Sequence, residues 1–310
     1  MNAPLDVSVI MPTWNRTQYL RESIDAVLTQ TAPIRELIIA DDGSETAARE
    51  FLEQYAARPG IRVLWRSHCG KPAAVRNAAL RAASGRYIAF ADSDDVWHAD
   101  KLAQQFATLQ SRPGCRWSFG AWSSIDADGH ALAIPVPNYR GRSGSLVDSV
   151  AKLSISIALP SVLAERSLLF EAGLFEETLD CYEDYDLWLR LAALAEAAIV
   201  CEPLLKVRWH DRRYSRTEPL VSLRSRIHYF ERALRQVRDP AVRAELQRIR
   251  ALDSARLANL VARSGDAGNV SHLLRESLAN GWTSPRWWLI AALAHSRLWT
   301  VRTRVLRESP

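Results

Sequence analysis

The sequence has no G-x-G-x-x-G after its first apolar run and no G-x-x-x-x-G-K-[ST]. That excludes the dinucleotide fingerprint and the P-loop, so any nucleotide must be held by side chains and a metal rather than by a glycine cradle. Cysteine is scarce and scattered: Cys69, Cys115, Cys181 and Cys201 form no C-x-x-C pair and no zinc pattern. Free thiols in a reducing compartment are expected. The N-terminus has no basic stretch followed by an apolar one, so no secretory signal is expected and a cytoplasmic location is. No apolar run is long enough to span a bilayer: Val7–Met11 is far too short, and so is Trp287–Ala294. Lysine is absent after residue 215, where 17 Arg face 8 acidic residues for a net +9. The first 215 residues carry 23 basic and 27 acidic side chains, a net −4. An acidic body joined to an arginine-only tail implies two regions with different partners.

What is present begins with a β-α alternation. Val7–Met11, Glu36–Ala40, Ile61–Trp65 and Tyr87–Ala91 read as strands. Between them lie helical patterns after Thr17, a candidate N-cap, over about 46–57 and over 71–83. Short connections of this kind predict an α/β fold with a mostly parallel sheet flanked by helices. Ligands of such sheets bind at the carboxyl ends of the strands. Thr13, Asp41 and Asp42, residues 67–71, and Asp92 with Asp94 all fall there. Beyond Trp97 the pattern gives a helix to about Leu109, a strand over 115–122, a turn at Asp126–Gly129 and a loop over 134–145 suited to a flap. A short helix over 165–171, a helix opening at Glu183 and a strand over 198–209 follow.

The densest chemistry is Asp92-Ser93-Asp94-Asp95 after the fourth strand. If the strand continues, Asp92 and Asp94 leave on one face. Two carboxylates there suit a hard divalent cation that also holds phosphates. Asp95 reads as the N-cap of the next helix.

Together these stretches resemble glycosyltransferase family 2, of the GT-A fold. The residues that carry it are Val7 to Arg16, Asp41-Asp42-Gly43-Ser44, Arg76-Asn77 with Gly85-Arg86-Tyr87-Ile88, Asp92 to Asp95, and Glu183-Asp184 before Leu187-Trp188-Leu189-Arg190. The match covers about residues 1–215, leaving 216–310 as a basic helical region. The resemblance implies transfer of a sugar, with inversion, from a nucleotide-diphosphate sugar to a hydroxyl of a glycan, lipid-linked or protein acceptor, in cell-surface polysaccharide, glycolipid or glycoprotein synthesis. It places Pro12, Thr13, Asn15, Arg16, Asp42, Lys71, Asn77, Asp92 and Ser93 around the donor, with Asp42 facing the base. Asp94 would hold Mn²⁺ or Mg²⁺, with Asp92 shared between ribose and metal. Asp184 would be the catalytic base and Glu183 its acceptor-side partner.

Each assignment has a plainer rival. Glu183, Asp184 and Asp186 also suit a helix N-terminus, where such charges stabilise by about 0.3–1 kcal/mol each. The resemblance would make His210, after Val207-Arg208-Trp209, a further metal ligand or diphosphate contact; it reads equally as a structural residue, and Arg213 is a weaker phosphate candidate. Trp97 and Trp188 are candidate acceptor platforms, though Trp188 fits a core position better. Two whole-protein rivals remain at this level: a non-catalytic nucleotide-sugar binder, and a nucleotidyltransferase on a similar scaffold. Helices expected over 218–238, 240–263, 268–279 and 285–307 form a packing region, a homo-oligomer surface or a membrane-surface contact. No recognition motif for nucleic acid is present, so none is expected as a partner.

Overall fold

The computed structural model describes residues 5–140, 145–210 and 219–264. Residues 141–144 of the expected flap, Arg213, and the helices expected over 268–279 and 285–307 lie outside the described residues. The chain divides into two compact units, one of Met1–Thr178 with Glu183–Arg213, the other of Leu179–Tyr182 with Tyr214–Pro310.

The first unit runs β1 (Val7–Thr13), α1 (Leu20–Leu28), β2 (Glu36–Asp41), α2 (Thr46–Ala56), β3 (Ile61–Trp65), α3 (Pro72–Ala82), β4 (Tyr87–Phe90), β5 (Val96–Trp97) and α4 (Lys101–Gln110). It continues with β6 (Trp117–Ile125), α5 (Val147–Ala151), a 3₁₀ turn at Leu159–Ser161, β7 (Leu163–Glu165), α6 (Arg166–Glu171), α7 (Glu183–Leu194) and β8 (Ala197–Arg208). The eight strands form one mixed sheet in the order β3-β2-β1-β4-β7-β6-β8-β5. The first four are mutually parallel, as their β-α alternation requires. β7 is antiparallel to both β4 and β6, and β6 pairs parallel with β8. The second unit contributes α8 (Pro219–Gln236) and α9 (Pro240–Ser264). Among the described residues no helix is long and apolar enough to cross a membrane. All four cysteines are free thiols.

Strands β1 and β2 are buried along nearly their whole length, with Val7, Val9, Met11, Leu37 and Ile39 among the core residues. Such two-sided burial is what continuous apolar runs in a parallel sheet demand. The amino-terminal edge of the sheet is fastened by one buried acid. Glu36 accepts hydrogen bonds from Ser8 Oγ at 2.7 Å, Ser84 N at 2.8 Å and Ser84 Oγ at 2.6 Å. Gly85 passes so close to β1 that a Cβ there would lie 2.6 Å from the Ser8 nitrogen, which explains the glycine between Ser84 and β4.

Two local expectations change. Helix α1 starts at Leu20 after Tyr19 with no side-chain cap, so Thr17 does not cap it. Strand β4 stops at Phe90, and Asp92 to Asp94 lie in a turn rather than on an alternating strand. The candidate platforms are core residues: Trp188 is fully buried, with its ring stacked on Trp117 at 6.1 Å, and Trp97 is also buried.

Burial works to raise the pKa of Glu36, but the bonds from Ser84, Ser8 and Arg62 outweigh it and hold the acid below its ordinary value. The stability it contributes is therefore complete above about pH 4.5 and is lost as pH falls further. Glu36→Ala should lower unfolding free energy at pH 7 by about 1–3 kcal/mol, because Ser8 and Ser84 lose their acceptor. Urea denaturation at pH 7 and pH 3 checks this, with the gap between variant and wild type narrowing at the lower pH.

Candidate active site

The site lies along a step in the carboxyl edge of the sheet. Thr13, Asp41 and Trp65 are in register at the ends of β1, β2 and β3. β4 instead ends opposite Ile10, three residues short of Thr13, where Ala91 N donates to Ile10 O at 2.8 Å. The acidic turn folds into this step. Oxygens of Asp92, Asp94 and Asp95 all lie within 4.8 Å of one another. Asp95 is committed to the frame, since its carboxylate accepts the Arg208 backbone N–H at 2.8 Å. It does not cap α4, whose first residue is Lys101.

Asp94 is shared by Arg16 and His210. One of its oxygens accepts from Arg16 and lies 2.9 Å from His210 Nε2. Arg16 Nη1 is itself 3.4 Å from that ring nitrogen. Asp92 faces Arg76, whose Nη2 lies at 3.4 Å, while Arg76 Nη1 donates to Glu183 at 2.9 Å. Burial opposes the charge on Arg76, but Asp92, Glu183 and Asp184 outweigh it and raise its pKa. One buried guanidinium thus joins the acidic turn to the first turn of α7, about ninety positions away in sequence. Beside it, burial and then the Glu183 charge push Asp184 up from 3.8 to about 7, against the pull of the Tyr185 N–H and Arg76. Asp186 instead pairs with Arg190 at 2.7 Å, one helical turn on, and has no opening to the site.

The other end of the step is a set of interlocked turns. Asp42 accepts from Cys69 N at 3.0 Å and Gly70 N at 2.9 Å, and its carboxylate lies 3.0 Å from His68 Nδ1. Gly43 has φ +77°, and a Cβ on it would come within 2.6 Å of the His68 nitrogen. Asn15, at φ 49°, donates its N–H to Ser44 Oγ at 2.8 Å and accepts from Glu45 N at 2.7 Å. The half-exposed Trp14 stacks on His68, ring centres 4.4 Å apart. Thr13 Oγ1 is buried with no hydrogen-bond partner among the described residues. A buried, unpaired hydroxyl at a strand end is costly and marks a place where a ligand's polar group fits.

The remaining sequence candidates are less central. Lys71 Nζ donates to the Glu177 carbonyl at 3.2 Å. Asn77 is spent on packing: it is buried and bonds Phe175 N, Phe175 O and Glu177 Oε1 at 2.8–3.0 Å. Pro12 is the last residue but one of β1, before Thr13, and Ser93 is buried within the acidic turn. The residues missed by reading the sequence are Arg76, quoted only as part of a motif, the Trp14–His68 stack, and Arg208. The available signal for Arg208 was a cation on the same strand as Lys206 with the opposite burial, at the end of the apolar β8 pattern.

The carboxylates of the turn are hard oxygen donors in reach of one another, which fits Mg²⁺ or Mn²⁺. A second group, Asp126, Asp128 and His130, sits on an exposed turn where Asp126 accepts the N–H groups of Asp128 and His130. That is ordinary turn chemistry.

Residues 8–119 match the family model described as glycosyl transferase family 2. A putative teichuronic acid biosynthesis glycosyltransferase of Bacillus subtilis, TuaG, is 40% identical over 127 residues, covering 41% of this chain and 50% of that protein. The Escherichia coli protein WfgD, a UDP-Glc:alpha-D-GlcNAc-diphosphoundecaprenol beta-1,3-glucosyltransferase, is 32% identical over 186 residues, covering 60% of this chain and 69% of its own. The chain spans half the length of the Bacillus relative and a third of an uncharacterized glycosyltransferase of Rickettsia felis. Among solved structures, Staphylococcus aureus TarS 1–349 in complex with UDP-GlcNAc superposes with a TM-score of 0.66 at 17% identity, covering 88% of this chain and 87% of that one. The mannosyltransferase PcManGT of Pyrobaculum calidifontis, in complex with GDP-Man and Mn²⁺, gives 0.57 at 18% identity, with 97% and 85% covered. These two likenesses establish the GT-A-like fold. On the sequence matches, the chain belongs to glycosyltransferase family 2.

Proposed function

We propose that this protein is a metal-dependent inverting glycosyltransferase that moves a sugar from a nucleotide-diphosphate sugar to a hydroxyl acceptor in cell-surface polysaccharide assembly. The observation that carries the reading is Asp184, pushed up to about 7 next to Glu183, the acid that Arg76 joins to an acidic turn suited to a cation. The names of relatives and neighbours supply the substrate classes: UDP-Glc, UDP-GlcNAc or GDP-Man as donors, and a diphosphoundecaprenol-linked sugar as an acceptor. A lipid-linked acceptor goes with a place on the cytoplasmic face of a membrane. Residues 1–215 are the catalytic region in this reading, and the basic helices from 216 onward serve packing, dimerisation or contact with the membrane surface.

In this reading the turns fixed by Asp42 seat the nucleoside, and Thr13 Oγ1 gains the partner it lacks. Asp94, Asp92 and His210 hold the divalent cation. When bound, that cation neutralises the charge growing on the leaving diphosphate. Arg16, beside Asp94, is placed to meet the same phosphates. Glu183, fixed by Arg76, positions the acceptor hydroxyl. Asp184 takes its proton as the oxygen attacks the anomeric carbon from the face opposite the diphosphate, which inverts the configuration. A carboxylate near pKa 7 is a better base at neutral pH than an ordinary one.

Asp184→Asn should reduce turnover by about 10²–10⁴-fold while leaving the thermal shift caused by donor nucleotide intact. Turnover at the wild-type rate would sink the base assignment. In the wild type, kcat/KM should fall as pH drops through about 7, where Asp184 gains its proton. The same group has a folded pKa above its unfolded one, so wild-type stability declines as pH rises from about 4 to 7. The Asn variant should therefore melt higher than wild type at pH 8, with the difference vanishing near pH 3.

Asp94→Asn tests the cation. It should abolish the Mn²⁺-dependent part of donor turnover, and EDTA should do the same to wild type. Full activity in EDTA-treated protein would overturn the metal requirement.

A further inference from the structure

We infer that Arg208 is the positioning residue of the cation site, fixing the acidic turn so that Asp92 and Asp94 present their carboxylates while Asp95 is held back. The inference rests on the metal reading above.

Arg208 is 2% exposed and bonds groups on three sides of the turn. Its Nε donates to the Asp94 carbonyl at 3.0 Å. Its Nη1 reaches the carbonyls of Ala127 and Asp126 at 3.2 and 3.4 Å. Its Nη2 donates to Glu22 on α1 at 2.5 Å. Its backbone N–H takes the Asp95 carboxylate, and its guanidinium lies 4.6 Å over the Tyr19 ring. Tyr19 in turn packs against His210, ring centres 5.1 Å apart.

The chemistry of these contacts separates positioning from mere packing. A buried cation kept only for stability would be paired with a buried acid, or replaced by an apolar group at little loss. Arg208 finds its acid at the surface, since the Glu22 side chain is 56% exposed, and spends its other donors on backbone carbonyls. A planar fork reads several carbonyls at once in fixed directions, which a lysine cannot do. Holding the Asp94 carbonyl sets the peptide planes on which the Asp94 side chain stands. The backbone N–H of the same residue ties one oxygen of the third carboxylate, that of Asp95, to the frame. Both neighbours of the cation, Asp94 and His210, thus take their placement from one side chain that touches neither of their ligand atoms.

The test uses full-length protein and Mn²⁺ alone, followed by loss of the free-ion EPR signal. All proteins carry Asp128→Asn, which removes the exposed acidic turn as a second binder. Arg208→Lys keeps the charge and loses the fork. Folded Arg208→Lys, shown by a cooperative melt, should bind Mn²⁺ at least tenfold more weakly. Wild-type Mn²⁺ affinity in that folded variant overturns the inference, because a purely structural role lowers the melting temperature without changing the affinity of the folded protein. If Arg208→Lys does not fold, Glu22→Gln decides. It frees one end of the guanidinium from a surface position, so two- to threefold weaker binding supports the inference and unchanged binding overturns it. Absence of Mn²⁺ binding in the protein with Arg208 and Glu22 intact removes the metal reading and this inference together, an outcome distinct from equal binding by all three.

Discussion

A buried guanidinium must find acids, and Arg76 finds Asp92 on one side and Glu183 on the other. Much of the site's geometry follows from that constraint. The acidic turn and the start of α7 lie about ninety positions apart in the first unit's sequence, and one buried cation pairs with both. Removing either acid would leave a buried charge short of a partner, which is far more costly than losing an exposed ion pair. The same arrangement sets the chemistry of Asp184. Glu183 takes the near hydrogen bond from Arg76, so its neighbour receives only part of the cation's attraction while feeling the full effect of burial and of the adjacent charge.

The parallel half of the sheet was legible because its signals are local. Apolar runs set off by turn residues such as Gly43 and Gly85 leave little freedom in β1 to β4, although β1 runs on through Pro12, where the pattern was expected to break, to Thr13. The later strands were not legible in order. β7 is three residues long and sits between β4 and β6, a position set by pairing across the whole unit rather than by any pattern within Leu163–Glu165. At the acidic cluster the residues were readable and their geometry was not. Strand alternation was expected to align Asp92 with Asp94, but β4 ends early and a turn brings the oxygens together. Asp95 looked like a helix cap because a helix follows, yet β5 intervenes and Asp95 answers to Arg208, more than a hundred positions on. Asn77 stands in a family motif, and its amide bonds Phe175 and Glu177. Tertiary partners of this kind cannot be seen from neighbours in sequence.

The interlocked turns around Asp42 show how a site can do without a glycine cradle. Backbone N–H groups of Cys69 and Gly70 point at a carboxylate of the protein itself. The loop after β3 is thereby drawn against the end of β2, and His68 is brought under Trp14. Gly43 is the single residue whose missing side chain makes this approach feasible. Preorganisation here is achieved by spending an acid on the protein's own backbone.

Arg16 gives the site one more property. Its guanidinium and the His210 ring both lie on the Asp94 carboxylate that the metal reading assigns to a cation. The protein therefore carries its own counter-ion at that seat. On the metal reading proposed above, a divalent ion held by Asp94 would have to displace a guanidinium there, where a bare carboxylate would simply take it up.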